Sequence, residues 1–275
     1  TWNRSWTHEE KEVLQLQTYG GEDEWEQHFK YLLNFFKDER YIKVDNKPMM
    51  VIYRPLDIPN CKERLSYYNK QARKNGFSGM YFVETLHIGD SSSGCGIEGF
   101  DAMIEFEPLY SMKMPVTQVQ YYDELWKTIL ERKRKANKKV FLGAFPGWDN
   151  AARKKDKGYY VVGSTPEKFG RYMKKQIEVA EKIGSDFIFI NAWNEWAEGA
   201  YLEPDKKFGY GYLDNLKLAI NGEIKDEQAD ENCDQDFMEL IPERANTVLY
   251  VNCKNAHLAS SIKKKNKAII IGTEK

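Results

Sequence analysis

The sequence is short of several things that would settle a function early. Its four cysteines, Cys61, Cys95, Cys233 and Cys253, follow neither metal-ligand nor disulfide-framework spacing. Its four histidines, His8, His28, His87 and His257, form no HExxH-like cluster, so no metal site is expected. A surplus of charge is also missing: 41 basic and 42 acidic residues leave a formal net charge of -1. Without a basic footprint, neither nucleic acid nor an anionic membrane is an expected partner. No apolar run approaches the roughly 18 residues a spanning helix needs, so no membrane span is expected. The chain opens at Thr1 with no signal peptide, and scattered thiols suit a reducing compartment; both lead to a cytoplasmic expectation.

What is plentiful is aromatic. Seven Trp and 17 Tyr serve a globular core, and they also suit sugar binding, where apolar ring faces stack on pyranose C–H groups. Short apolar runs alternate with amphipathic stretches. Strands are expected at Pro48–Pro55, Gly79–Glu84, Phe100–Phe106, Val140–Phe145 and Phe187–Trp193. Helices are expected at Glu24–Lys37, Glu63–Asn75 and Tyr121–Ala136, and from a capping box at Ser164-Thr165-Pro166-Glu167 to about Ile183. Gly184 should end the last of these. Strands apolar on both faces, separated by helices, indicate a parallel sheet under helical cover. About five βα units of this kind suit a doubly wound sheet or a closed barrel.

The polar residues favour the barrel. Arg54, Glu84, Glu105, Trp148-Asp149-Asn150 and Asn194-Glu195 fall at or just past strand C-termini, where barrel active sites are assembled. No glycine-rich phosphate loop follows the early strands, which counts against a dinucleotide fold.

Glycosidic chemistry needs one carboxyl at the leaving oxygen and a second acting across the sugar ring. Glu195 and Glu198 meet that need if the segment after the strand turns helically. Trp193 and Trp196 would flank them with apolar surface, Asn194 would orient Glu195 or bind a hydroxyl, and Glu203 adds a third acid. An ordinary helix start, with glutamates on the dipole and tryptophans packing, explains the same residues.

Taken together, FINAWNEWAEGAYLEPD, FPGWDNAARK, GSTPEKF, YIKVDNKPMMVIYRP and TWNRSW resemble the WbsX-type glycosyltransferases, relatives of the family 99 endo-α-mannosidases. The similarity runs from Thr1 to about Leu218. It implies an α/β fold of the (β/α)8 TIM-barrel type, with strands 4 to 8 present and the first three absent, and hence two unpaired sheet edges. It implies that Glu195 is the base engaging a sugar 2-hydroxyl and Glu198 the acid/base at the leaving oxygen. Ala197 stands where the hydrolases carry a histidine. Trp148, Asp149, Asn150 and Arg153 match the PGWDN-xx-R segment and are expected to touch substrate. Arg54 would clamp a hydroxyl or carboxylate, or form a structural ion pair, and Glu84 and Glu105 carry the same two readings. Trp2 and Arg4 match a loop motif of the family, while Tyr201 and Tyr210 suit packing.

By this reading residues 1–221 form the partial barrel, which on its own would be inactive and prone to aggregate. An acidic linker covers 222–243, and 244–275 begin a truncated Rossmann-like unit resembling a class I S-adenosylmethionine-dependent methyltransferase. Glu274 lies at the ribose-acid position, but Asn252, Lys254 and Ala256 replace the loop glycines and Tyr250 an acid, so cofactor binding is not expected there. No cofactor is expected for the barrel, whose partner would be a glycan or sugar donor. The implied activity is glycosyl transfer in surface polysaccharide synthesis of the O-antigen type. The alternatives are an endo-acting α-mannosidase-like hydrolase and a non-catalytic glycan-binding barrel.

Overall fold

A computed structural model describes residues 2–3, 13–112, 118–134, 138–154 and 158–224. The expected linker and Rossmann-like start therefore lie, from residue 225 onward, outside the described residues, as does Arg4. Among the described residues no helix is long and apolar enough to cross a membrane, and no three His, Cys, Asp or Glu side chains group as metal ligands.

The elements run in order. A small antiparallel pair, β1 (Trp2–Asn3) and β2 (Val13–Gln15), precedes α1 (Glu22–Phe36) and the hairpin strands β3 (Lys43–Val44) and β4 (Lys47–Ile52). Then come α2 (Cys61–Lys74), β5 (Tyr81–Leu86), β6 (Ala102–Glu105), β7 (Val119–Tyr121) and α3 (Tyr122–Glu131). After β8 (Lys139–Ala144) follow the single turn α4 (Ala151–Lys154), β9 (Tyr160–Val162) and α5 (Pro166–Ile183). The last elements are β10 (Ile188–Ile190), the hairpin β11 (Asn194–Glu195) and β12 (Ala200–Tyr201), and α6 (Gly211–Ile220).

Five parallel strands lie side by side in chain order, β4-β5-β6-β8-β10. A doubly wound sheet reverses its strand order at a switch point, and none occurs here. The unidirectional order is that of a curled half-barrel, with successive helices on one side. The alternation along each strand sorts the residues. Phe82 of β5, together with Met80 just before it, packs under α1 and α2 with Trp25, Phe29, Leu65 and Tyr68. Met49, Tyr81, Val83, Ala102, Ile104 and Phe141 form a separate layer on the opposite face. The third cluster fastens α3, α5 and α6 to the end of β8 around Trp126 and Phe145, stacked at 5.7 Å.

Two local expectations change. The sheet ends at β3 and β10 among the described residues, but its first edge is partly covered, because Asp45 and Asn46, both at positive φ, turn β3 back onto Lys47 and Pro48. The N-cap of α5 is Thr165, whose hydroxyl accepts from the Lys168 amide at 3.3 Å, so position N3 is Lys168 and Glu167 lies inside the first turn instead of closing a capping box. Gly184 ends α5 at φ 69 as its left-handed cap.

Candidate active site

Just beyond β10 the chain makes the tight hairpin β11–β12, and its connection is a single 3-10 turn, Trp196–Glu198. That turn puts Glu195 and Glu198 on one side, as their three-residue spacing requires. Gly199 closes it at φ 60, and a Cβ there would meet the Asp149 amide nitrogen at 2.9 Å. The close approach lets the Asp149 amide donate to the Glu198 carbonyl at 2.7 Å, docking the loop after β8 onto the turn. The same loop is tied on its far side, where Val161 donates to the Trp148 carbonyl at 2.7 Å and Tyr159 donates to Asn150 Oδ1 at 2.9 Å.

Asp149 accepts from the Ala151 amide at 2.9 Å and so braces the start of α4, the turn that carries Arg153. Arg153 Nη1 donates to Glu198 Oε1 at 3.0 Å and lies 3.9 Å from Glu195 Oε1. One guanidinium nitrogen thus stands between both carboxylates. They open on a cleft of about 380 Å³ whose walls include Tyr53, Phe106, Trp148, Asn150, Lys154, Tyr159 and Asn191.

The two acids differ. The Glu198 side chain is 24% exposed and that of Glu195 43%. Burial raises the Glu198 pKa, with the Glu195 charge adding to the rise and Arg153 and Lys154 opposing it. The same burial, together with the Glu198 carboxylate, raises the hydroxyls of Tyr53 and Tyr159. Trp148, itself buried, stacks on Tyr159 at 5.8 Å and 7°, and both residues line the cleft. Two buried donors here, Asn150 Nδ2 and Trp148 Nε1, have no partner among the described residues. A buried donor left unpaired costs roughly 1–3 kcal/mol.

Of the residues singled out from sequence, Trp148, Asn150, Glu195 and Glu198 line this cleft, and Arg153 reaches into it. The others are elsewhere. Trp196 stacks on Tyr201 at 3.8 Å and donates to Glu203 at 2.7 Å, so Glu203 serves the tryptophan. Trp193 is exposed, and Asn194 pairs with Tyr201 across the hairpin. Arg54 forms an exposed ion pair with Asp57 at 2.7 Å. Glu84 and Glu105, expected either as substrate contacts or in ion pairs, are in ion pairs. Glu84 is 1% exposed and held by Lys138 at 2.8 Å and the Cys95 amide at 2.7 Å. Glu105 accepts two bonds from Arg134, at 2.9 and 2.8 Å, and lies 3.1 Å from Arg132. Both lie on the helix-covered side of their strands, where a lone carboxylate could not stay ionised.

Sequence reading passed over Tyr53, Tyr159, Lys154 and Asn191. Tyr53 and Asn191 directly follow β4 and β10, so the strand-end rule that selected Arg54 applied to both. Tyr159 gave no local signal, since only the docking of its loop brings it to the acids.

Residues 1–216 match the family described as Glycosyltransferase WbsX. Two proteins called "Uncharacterized protein WxcX", from two strains of Xanthomonas campestris pv. campestris, are 28% and 27% identical over 235 and 237 residues. Those alignments cover 80% of this chain and 33% of each relative, so the chain spans about a third of the length of the curated relatives it matches. Among solved structures, a glycoside hydrolase-like protein superposes with a TM-score of 0.55 at 13% identity, covering 74% of this chain and 62% of that one. The endo-alpha-mannosidase from Bacteroides thetaiotaomicron gives a TM-score of 0.47 at 16% identity, with 74% and 65% covered. The first of these likenesses is one of fold, in keeping with the curled parallel sheet. The family match runs from the first residue into α6 and takes in both glutamates and the loop docked on them: this chain belongs to the WbsX glycosyltransferase family.

Proposed function

We propose that this protein transfers glycosyl groups during assembly of a surface polysaccharide of the O-antigen type, with Glu195 and Glu198 as the paired carboxylates. The observation that carries the reading is their meeting at one cleft in unlike surroundings. Glu198, less exposed and raised by burial, holds a proton near neutral pH more readily than an ordinary glutamate. It gives that proton to the departing oxygen as the glycosidic bond breaks. Glu195 takes the proton of the sugar 2-hydroxyl, whose oxygen bonds to the anomeric carbon as the leaving oxygen departs. An acceptor hydroxyl then gives its proton to the Glu198 carboxylate and bonds to the anomeric carbon, and the released 2-oxygen recovers its proton from Glu195. Arg153 keeps both side chains in place and limits how far the Glu198 pKa rises. Trp148 and Tyr159, stacked on each other, give the cleft an aromatic side for the sugar.

One observation favours an endo-acting hydrolase as the second reading. Glu195 is 43% exposed, which leaves water a route to the anomeric carbon. The test is incubation of the protein with mannose-containing glycans and nucleotide sugars, with products followed by mass spectrometry and Glu198→Gln as control. Extended glycans that vanish in the control support the transferase, and shortened ones the hydrolase. Binding without either product, unaffected by Glu195→Gln and Glu198→Gln, sinks both in favour of a glycan-binding barrel.

A further inference from the structure

Beside the glutamate cleft, at the C-terminal ends of β4 and β5, lies a second cavity of about 450 Å³. Tyr53 and Leu109 line both. Each volume falls within the ~300–1000 Å³ of small-ligand sites. Tyr53 is the joint between them. Tyr53 is 52% exposed, and its ring makes T-shaped contacts with His87 and Phe106, at 4.5 Å and 81° and at 5.4 Å and 79°. These two T-shaped contacts hold the ring in place while half of the residue stays open to the cavities. The Tyr53 carbonyl is also fixed, accepting from the Thr85 hydroxyl at 2.5 Å with His87 Nε2 at 2.8 Å. A half-exposed aromatic ring held this firmly is a platform for a pyranose.

The polar groups of the second cavity narrow the ligand further. Arg54 and Asp57 form their 2.7 Å pair on its wall, and Asp90, which accepts from the His87 amide at 2.6 Å, adds another carboxylate. Two carboxylates against one guanidinium would repel a sugar nucleotide's phosphates or a uronic acid. They suit the hydroxyls of a neutral sugar, which both donate and accept.

We infer that the cavity at the ends of β4 and β5 is a second sugar subsite, and that the ligand is a neutral oligosaccharide running past Tyr53. Its reacting residue sits over Glu195 and Glu198, and the next residue lies against His87, Arg54, Asp57 and Asp90. The inference rests on the paired-glutamate reading for the identity of the first subsite. It is tested by calorimetric titration with gluco-, galacto- and manno-oligosaccharides of one to four residues. Affinity in at least one series should rise about tenfold from one residue to three, or ~1.4 kcal/mol. Arg54→Ala combined with Asp57→Ala, and separately Ser91→Trp to fill the cavity, should cut that gain below about threefold, a loss of most of the ~1.4 kcal/mol per decade. All three substitutions are at exposed positions. A wild type whose affinity does not grow with length overturns the inference, and so does a gain that survives both variants. Turnover by Glu198→Gln is read alongside: if it persists, the paired-glutamate reading fails while a length-dependent gain still stands.

Discussion

Carboxylates cluster in two regions of this sheet, and the two are built in opposite ways. At the end of β6, Glu105 and Glu107 are enclosed with Arg132 and Arg134, all four less than a fifth exposed. Glu105 accepts both bonds of a forked guanidinium, and Glu107 accepts from Arg132 at 2.8 Å and the Ser111 amide at 3.1 Å. Beyond β10, Glu195 and Glu198 face a cleft, and Arg153 offers the same nitrogen to both. Every carboxylate oxygen of the first group accepts a hydrogen bond, while in the second Glu198 Oε1 accepts from Arg153 and the Glu195 carboxylate stands 3.9 Å from that nitrogen. Position at a strand end selects both groups equally. Unspent capacity facing a cavity separates them.

That contrast breaks most sharply by substitution. Glu198→Gln should lower turnover on the order of 10²–10⁴-fold, the usual range for removing a general acid, with the melting temperature held. Glu195→Gln should do likewise. Glu105→Gln should leave turnover per folded molecule in place, yet cost about 3–5 kcal/mol in a denaturant titration, because Arg134 is then buried without its counter-charge. A variant at Glu105 that loses activity without losing stability would erase the distinction drawn between the two regions.

The sign of pH dependence sharpens it further. The folded-state pKa of Glu198 is raised, so Glu198 favours folding most below its unfolded pKa, and that contribution is lost as pH rises through the folded pKa. Glu198→Gln, which cannot ionise, should therefore be at least as stable as wild type at pH 7, and the difference should shrink on acidification. Arg153 opposes the rise, so Arg153→Gln should push the limb of the rate profile that reports Glu198 to higher pH. Thermal melts across pH 4–8 and a kcat/KM profile read these two effects.

How legible this was depended on the range of the interaction. All five parallel strands, and α1, α2, α3 and α5, show in the sequence because apolar runs and caps are local. Their ends shift: β5 runs two residues past Glu84 to Leu86, while β10 stops at Ile190, three residues before Trp193, and α3 at Glu131, because pairing and packing rather than the apolar run set where each ends. The turn carrying both glutamates was legible for the same reason, being seven consecutive residues. The cations that claim Glu84 and Glu105 were not. Lys138 is 54 positions from Glu84, and Arg134 is 29 from Glu105, and no periodicity relates them. The tryptophans show the converse failure. Trp193 and Trp196 lie within two residues of the glutamates, but the hairpin turns them away, and the cleft takes its aromatic wall from Trp148 and Tyr159 instead.

The smallest effect tests how the two loops meet. Gly199 adopts φ 60, and its missing side chain lets the Asp149 amide reach the Glu198 carbonyl. Gly199→Ala imposes the left-handed penalty, about 1–2 kcal/mol for an L-residue. It also forces the Asp149 backbone away from a contact at 2.9 Å. Asp149 braces the start of the turn bearing Arg153, so the displacement should pass to the guanidinium shared by the acids. The expected outcome is a modest fall in stability with the Glu198 limb of the rate profile moved toward that of Arg153→Gln. Gly184, at φ 69 but with nothing within 4 Å of a Cβ, is the matched control. Gly184→Ala should cost similar stability and leave the rate profile alone. If both alanine variants behave alike, the docking of the loop after β8 does not position Arg153.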